Sequence, residues 1–208
     1  MNTNDCIIRP ATPADWRATE ELTREAFWDV YRPGCLEHYV LHVLRTRPER
    51  VPELDLVLER SGQLIGHIVY VRAVIEADDG RSLPILTFGP LSIAPEEQGK
   101  GYGKLLLDAS MEQARAMGAL ALCMEGNIDF YGHSGFIVAS TRGIHYNDEP
   151  RSEEVPYFLL KELRPGALEG VSGTYRTPAA YFVEEEEAEA FDLTFPHKEK
   201  HRRPGQLV

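Results

Sequence analysis

The spacing of apolar residues changes period several times along the chain. The run around Ile7 and Ile8 predicts a short strand, and "TPADWRATEELTREAF" predicts a helix. Thr12 is its expected N-cap, Pro13 its first residue and Asp15 the acid of a capping box. Tyr31 to Gly34 breaks that helix, and apolar residues at helical spacing from Leu36 to Leu44 predict a second short one. After "RTRPERVPE" the pattern turns to strand. Three β-rich runs follow, punctuated by Ser61-Gly62 and Asp78-Asp79-Gly80, and predict an antiparallel meander. From Gly103 to Met117 the charges Lys104, Asp108, Glu112 and Arg115 share one stripe. Leu105, Leu106, Ala109, Ala114 and Met117 cover the rest, which predicts a helix largely buried on a sheet, with Gly118 at its C-terminal cap. "ALALCMEG" reads as a buried strand, "DFYGHSG" as one helical turn, and "FIVASTR" and "VPYFLLKEL" as two late strands. The fold class is mixed α/β with one strand, helix, strand crossover. It occupies a domain at 5–163, followed by a short C-terminal appendage at 164–208.

Composition narrows the function classes. A chain of 208 residues, 43% hydrophobic and 26% charged, can build one sizeable core. A net charge of −11 repels a phosphate backbone, so nucleic acid is not an expected partner. No apolar run approaches the roughly 20 residues that span a bilayer, and "MNTNDCIIRP" lacks the basic and apolar regions of an export signal. Cys6, Cys35 and Cys123 lie far apart without a CxxC pair, which fits a reducing cytoplasm. The acidic run Glu184 to Glu187 reads as a solvated face. The basic cluster Lys198 to Arg203 can pair with it within the chain or across a homodimer.

The candidate chemistry centres on "PEEQGKGYGKLLLD", Pro95 to Asp108, where glycines precede a helix. A P-loop pattern ending at Gly103-Lys104 would need glycine at Gln98 and Ser or Thr at Leu105, so it fails twice. A dinucleotide fingerprint starting at Gly99 or Gly101 fails at Lys104 or Leu106. The pattern that fits is Q-x-x-G-x-G, filled by Gln98, Gly99, Lys100, Gly101, Tyr102 and Gly103. It lies between the strand "LSIAP" and the amphipathic helix. Glycines there let backbone N–H groups and a helix N-terminus converge on a pyrophosphate.

This segment resembles motif A of the GNAT superfamily of acyl-CoA N-acyltransferases. "EGNIDFYGHSGF" is similar to its motif B, with the aromatic pair Phe130-Tyr131 and the closing Gly135-Phe136. Together they look most like a group of bacterial predicted N-acetyltransferases. The resemblance implies a strongly twisted mixed sheet flanked by helices. It implies acetyl-CoA as cosubstrate without a metal, and direct transfer of an acetyl group to a small-molecule or peptide amine in a ternary complex. It further implies that Gln98, Gly99, Lys100, Gly101, Tyr102 and Gly103 cradle the pyrophosphate, with Lys104 steering the anion. Leu91, Ser92 and Ile93 would pair with pantetheine, the N–H near Ile93 polarising the thioester oxygen. Tyr131 would act as general acid, Phe130 would belong to the core, and Asn127 and His133 would border the cosubstrate.

For the general base, Glu125 at the end of "ALALCMEG" is the candidate, while Glu20, Glu21 and Glu25 are alternatives that would line an acceptor pocket. His38 and His42 share a helix face, but without a third ligand or the glutamate of HExxH they do not spell a metal site. His67 is expected to be a hydrogen-bonded sheet residue, and His145 and Tyr146 lie where they can face an acceptor. A noncatalytic acyl-CoA-binding sensor or interaction module is the alternative function. Release of free thiol in the presence of an amine separates the two.

Overall fold

The two turn sequences fold the chain back on itself, Ser61 and Gly62 both at positive φ (50° and 78°). The computed structural model describes residues 5–206. Strands β2 (Arg50–Arg60), β3 (Gln63–Ala77) and β4 (Ser82–Ile93) form the antiparallel meander. The short β1 (Cys6–Pro10) extends it antiparallel to β2. Helix α3 (Tyr102–Ala116) then crosses over to β5 (Ala121–Glu125), which lies parallel to β4. After the single-turn α4 (Ile128–Tyr131) come β6 (Ile137–Val138), β7 (Ile144–Tyr146) and β8 (Phe158–Glu162). The sheet runs β1-β2-β3-β4-β5-β8-β6, and β9 (Gly173–Tyr175) pairs with both β3 and β7.

Side-chain alternation on β3 decides which helix covers which face. Ile68 and Tyr70 join Leu54, Leu56 and Leu58 of β2 beneath Leu106, Leu107, Met111 and Ala114 of α3. The Tyr70 hydroxyl is satisfied there by Ser110 at 2.8 Å. Val69 and Val71 point to the other face, against Leu41 and Leu44 of α2 (Glu37–Leu44).

Helix α1 (Trp16–Phe27) is different, because its buried residues are Thr19, Glu20, Thr23 and Arg24. Each finds a polar partner. Thr19 Oγ1 accepts from Arg45, Glu20 meets His42 at 2.9 Å, Thr23 Oγ1 accepts from Ser92, and Arg24 Nε donates to Asp192. Below them the fully buried Asp55 accepts from Arg50 at 2.9 Å and from His67 Nε2 at 2.7 Å, with Arg45 Nε at 3.4 Å. Burial, the dominant influence on His67, lowers its pKa and keeps the ring neutral, so Nε2–H is the donor to Asp55. His67 is thus the hydrogen-bonded sheet residue expected.

Several local expectations change. The first helical turn, Pro13–Asp15, is a 3₁₀ turn, and the Asp15 carboxylate accepts from both the N–H and the hydroxyl of Thr12. Strand β2 begins inside "RTRPERVPE", at Arg50. Met117, expected on the buried face of α3, is 49% exposed because the helix ends one residue before it. "FIVASTR" is strand only at Ile137–Val138. Ala139–Arg142 is a 3₁₀ turn that buries Ala139 and delivers the chain to β7. Glu20 is buried in the polar contacts under α1, and Glu25 pairs with Lys198, so neither is a free carboxylate.

Residues beyond Leu163 pack closely on the domain. Ile75 of β3 pairs with Tyr175 of β9, and α5 (Glu185–Asp192) reaches α1 through Asp192. The following segment crosses α1, where Trp28 Nε1 donates to the Glu199 carbonyl at 2.9 Å. The acidic and basic runs find their partners elsewhere and, among the described residues, form no ion pair with each other: Lys200 pairs with Glu189, Lys198 with Glu25 on α1, and Arg32 with Glu185. Among the described residues no helix is long and apolar enough to cross a membrane.

Candidate active site

The site arises where two parallel strands part. Strands β4 and β5 share a single register pair, Leu86 with Leu122, after which β4 continues to Ile93 without a neighbour on that side. Strand alternation fixes what β4 offers to the gap. The Ala94 N–H bonds to Ile65 of β3, which places the Ser92 peptide on the β3 side too, in register with His67. The peptides of Leu91 and Ile93 therefore face the gap. Ser92 was expected among the residues facing the cosubstrate. Its peptide belongs to the β3–β4 ladder, and its buried hydroxyl donates to Thr23 at 2.9 Å.

At the mouth of the gap the chain turns into α3. Gln98 ties the loop down by donating from Nε2 to the Ile93 carbonyl at 3.0 Å. Gly99 and Gly101 sit at φ +72° and +88°, a region in which an L side chain is strained. The first intrahelical bond runs from Leu105 N–H to Gly101 O. From Gly99 to Lys104, six consecutive N–H groups have no protein acceptor among the described residues. Unpaired donors converging at a helix N-terminus define an anion cradle.

The side chains of this loop divide by role. Tyr102 is 4% exposed and belongs to the core, so only its N–H serves the cradle. Lys100 pairs with Glu97 at 3.2 Å and Lys104 with Asp108, both on the exposed surface. A Cβ on Gly103 would lie 3.3 Å from Phe130 Cζ. That glycine permits close approach of α4 to α3, which Ser134 fastens by donating to Asp108 at 2.7 Å.

Tyr131 lies against Phe88, Phe130 and Phe136, ring centroids 4.8–5.9 Å away. Phe130, expected in the core, is 42% exposed, its ring perpendicular to that of Tyr131 and above Gly103. Burial, with a smaller effect from Tyr31, pushes the Tyr131 phenol well above its ordinary pKa. Its hydroxyl has no protein partner among the described residues, so it is a protonated donor available to a ligand. Gly126 makes room for it: a Cβ there would stand 2.4 Å from Tyr131 Cε2.

Glu125, exposed at the end of β5, accepts from the Tyr146 hydroxyl at 2.6 Å, and Thr177 Oγ1 lies at 3.4 Å. Sequence reasoning gave Tyr146 no defined role and missed Thr177. A weak signal existed in the aromatic and hydroxyl residues of "GTYRTPAAYF". Asn127, expected at the cosubstrate, is the N-cap of α4, its Oδ1 accepting from Asp129 N–H at 2.9 Å. His133 is exposed on the turn after α4. His38 is fully buried between Phe191 and Phe195 and held neutral, its pKa pushed down by burial to about 4.

A wedge between parallel strands, an anion cradle at the following helix and a half-buried phenol on α4 together make a cleft for a long phosphorylated ligand. The chain matches the model of the acetyltransferase (GNAT) family over residues 16–136, more than half its length, and belongs to that family. It is 34% identical over 86 residues to the uncharacterized N-acetyltransferase YjhQ of Escherichia coli (strain K12). That alignment takes in 41% of this chain and 46% of YjhQ, about half the relative's length. The fold is shared with the E. coli GNAT family N-acetyltransferase YhbS in complex with CoA, at TM-score 0.73, 22% identity, 85% of this chain and 92% of that one. A GNAT family acetyltransferase from Brucella melitensis in complex with acetyl-CoA matches with TM-score 0.67 and 25% identity, over 85% of this chain and 98% of that one.

Proposed function

We propose that the protein transfers an acetyl group from acetyl-CoA to an amine by direct attack in a ternary complex. The observation that carries this reading is the run of six N–H groups from Gly99 to Lys104 that have no protein acceptor among the described residues. The cradle suits the pyrophosphate, and the N–H groups of Leu91 and Ile93 with the Leu91 carbonyl, all facing the gap, suit an arm lying along β4 as an added strand. Complexes of two structural relatives with CoA and acetyl-CoA support the same donor.

The donor supplies an activated thioester. The amine nitrogen forms a bond to the acetyl carbon and the C–S bond breaks. The Ile93 N–H stabilises the negative charge on the oxygen, Tyr131 protonates the departing sulfur, and Glu125 takes the amine proton, directly or through water. Cys123 is fully buried and its thiol is pushed up by burial, which argues against an acyl-cysteine intermediate. In this reading residues 5–163 carry the transfer, and 164–208 supply the acceptor side through Thr177 and the segment that follows.

The test is free-thiol release from acetyl-CoA over a panel of amines, amino acids, polyamines, aminoglycosides and basic peptides, alongside calorimetric binding of CoA. Release that depends on an amine is expected. CoA binding without release under any amine would indicate a sensor instead. Gly101→Ala is expected to weaken CoA binding about tenfold, the cost of forcing an L residue into the left-handed region. Calorimetry showing unaltered affinity would count against the cradle.

A further inference from the structure

Glu125 has more support than a carboxylate at a strand end needs. Leu122 and Met124 of β5 face the core under α3, while Ala121 and Cys123 face the opposite core with Phe158 and Tyr175. Strand alternation therefore turns the Glu125 side chain away from α3. On that face the parallel pair β7 and β9 brings Tyr146 and, just beyond β9, Thr177 to it.

Both hydroxyls meet the same carboxylate oxygen. Tyr146 donates to Glu125 Oε1 at 2.6 Å, and Thr177 Oγ1 lies 3.4 Å from that oxygen and 3.3 Å from the Tyr146 hydroxyl. Oε2 has no hydrogen-bond donor among the described residues. Arg176, beside Thr177 in the chain, is paired with Asp148 at 2.8 Å. The Tyr146 ring is held in place by Phe158, Tyr157 and Tyr175, with centroids 4.8, 5.8 and 6.4 Å away. Thr177 is fixed through its backbone: its N–H donates to Asn147 Oδ1 at 3.0 Å, and the Asn147 N–H donates to the Tyr175 carbonyl at 2.8 Å. Contacts also join this carboxylate to the candidate acid. Gly126, the next residue, donates its N–H to the Tyr157 carbonyl at 2.8 Å and lies against the Tyr131 ring, where a Cβ would stand 2.4 Å from Cε2.

We propose that Tyr146 is a positioning residue for the transfer: with Thr177 behind it, it holds Oε1 of Glu125 so that Oε2 is presented to the amine. The assignment rests on the transferase reading above, with Glu125 as base. The N–H proton of the attacking amine passes to Oε2, directly or through water, while the electron pair of the breaking C–S bond leaves with the sulfur that Tyr131 protonates. A hydrogen bond to an ionised carboxylate is among the stronger ones, and a base already held in place has less orientation left to lose at the transition state. Thr177 thereby gives the C-terminal segment a part in the chemistry that needs no contact with substrate.

The experiment is a double-mutant cycle on Glu125→Gln and Tyr146→Phe, read as thiol release from acetyl-CoA with an amine that the wild type turns over. Tyr146→Phe keeps the ring and its neighbours, so the fold should hold, and calorimetric CoA affinity should match the wild type. Its kcat is expected to fall about tenfold with the acetyl-CoA KM unmoved. In the Glu125→Gln background the same change should cost less than about twofold, because a residue that acts through Glu125 then has nothing to position. Thr177→Val, taken through the same cycle, should show the same dependence on Glu125 with a smaller loss, and it carries the test if Tyr146→Phe fails to bind CoA. An undiminished loss in the Glu125→Gln background, or a Tyr146→Phe enzyme with wild-type kcat, would overturn the positioning role. Wild-type kcat in Glu125→Gln would remove the base and the positioning role together and leave the transferase reading standing. Absence of amine-dependent thiol release in the wild type would overturn both.

Discussion

Replacing Tyr131 with phenylalanine is expected to lower kcat about a hundredfold or more while the acetyl-CoA KM stays near its wild-type value. The prediction follows from separating two roles of one side chain. The ring is held by Phe88, Phe130 and Phe136, and a phenylalanine keeps those contacts. The hydroxyl contributes nothing to the fold, having no protein partner among the described residues. It is also fully protonated at neutral pH, since burial raises its pKa. Removing it deletes a proton donor and little else. Steady-state kinetics at saturating donor provide the check, and a variant that turns over like the wild type would pass the acid role to another group.

Asp55→Ala is expected to cost about 3–5 kcal/mol, because it leaves charge buried without its counterpart. For a chain of this size that corresponds to a fall in Tm of roughly 10 °C, measurable by calorimetry. Arg45, Arg50 and His67 all converge on this one carboxylate. Burial pushes Asp55 up, but the His67 hydrogen bond and the Arg45 charge outweigh it and hold the pKa at about 2. The folded value lies below the ordinary 3.8, so the contribution is complete above about pH 4 and fades as pH falls toward 2. A variant melting within about 2 °C of the wild type would show that the cluster relaxes at little cost.

What could be read from the sequence follows from how locally each feature is encoded. The meander, α3 and the cradle rest on short-range signals: turn dipeptides, a helical stripe, and glycines where the backbone must take positive φ. The packing of α1 could not be read that way, because its inward face is Thr19, Glu20, Thr23 and Arg24, a polar set whose partners come from distant segments. The same limit hid the surroundings of Glu125. Tyr146 and Thr177 reach it from β7 and from the residues after β9, and strands of three residues carry too little periodicity to be recognised. Gly103 was legible as a required glycine but not for its physical reason, since its neighbour Phe130 comes from another motif. The capping role of Asn127 was not legible, because an N-cap and a ligand contact call for the same side chain.

The parting of β4 from β5 has a consequence for the lifetime of the protein. With one register pair joining them, Leu86 to Leu122, the sheet is nearly interrupted at its centre. A donor arm lying along Leu91 and Ile93 would fill that interruption, and so would bind the native state and not the unfolded chain. By mass action, free donor at a hundred times its dissociation constant would add about 2.7 kcal/mol to stability. The abundance of this protein in a cell would then follow the supply of acetyl-CoA, independently of any regulation of its synthesis.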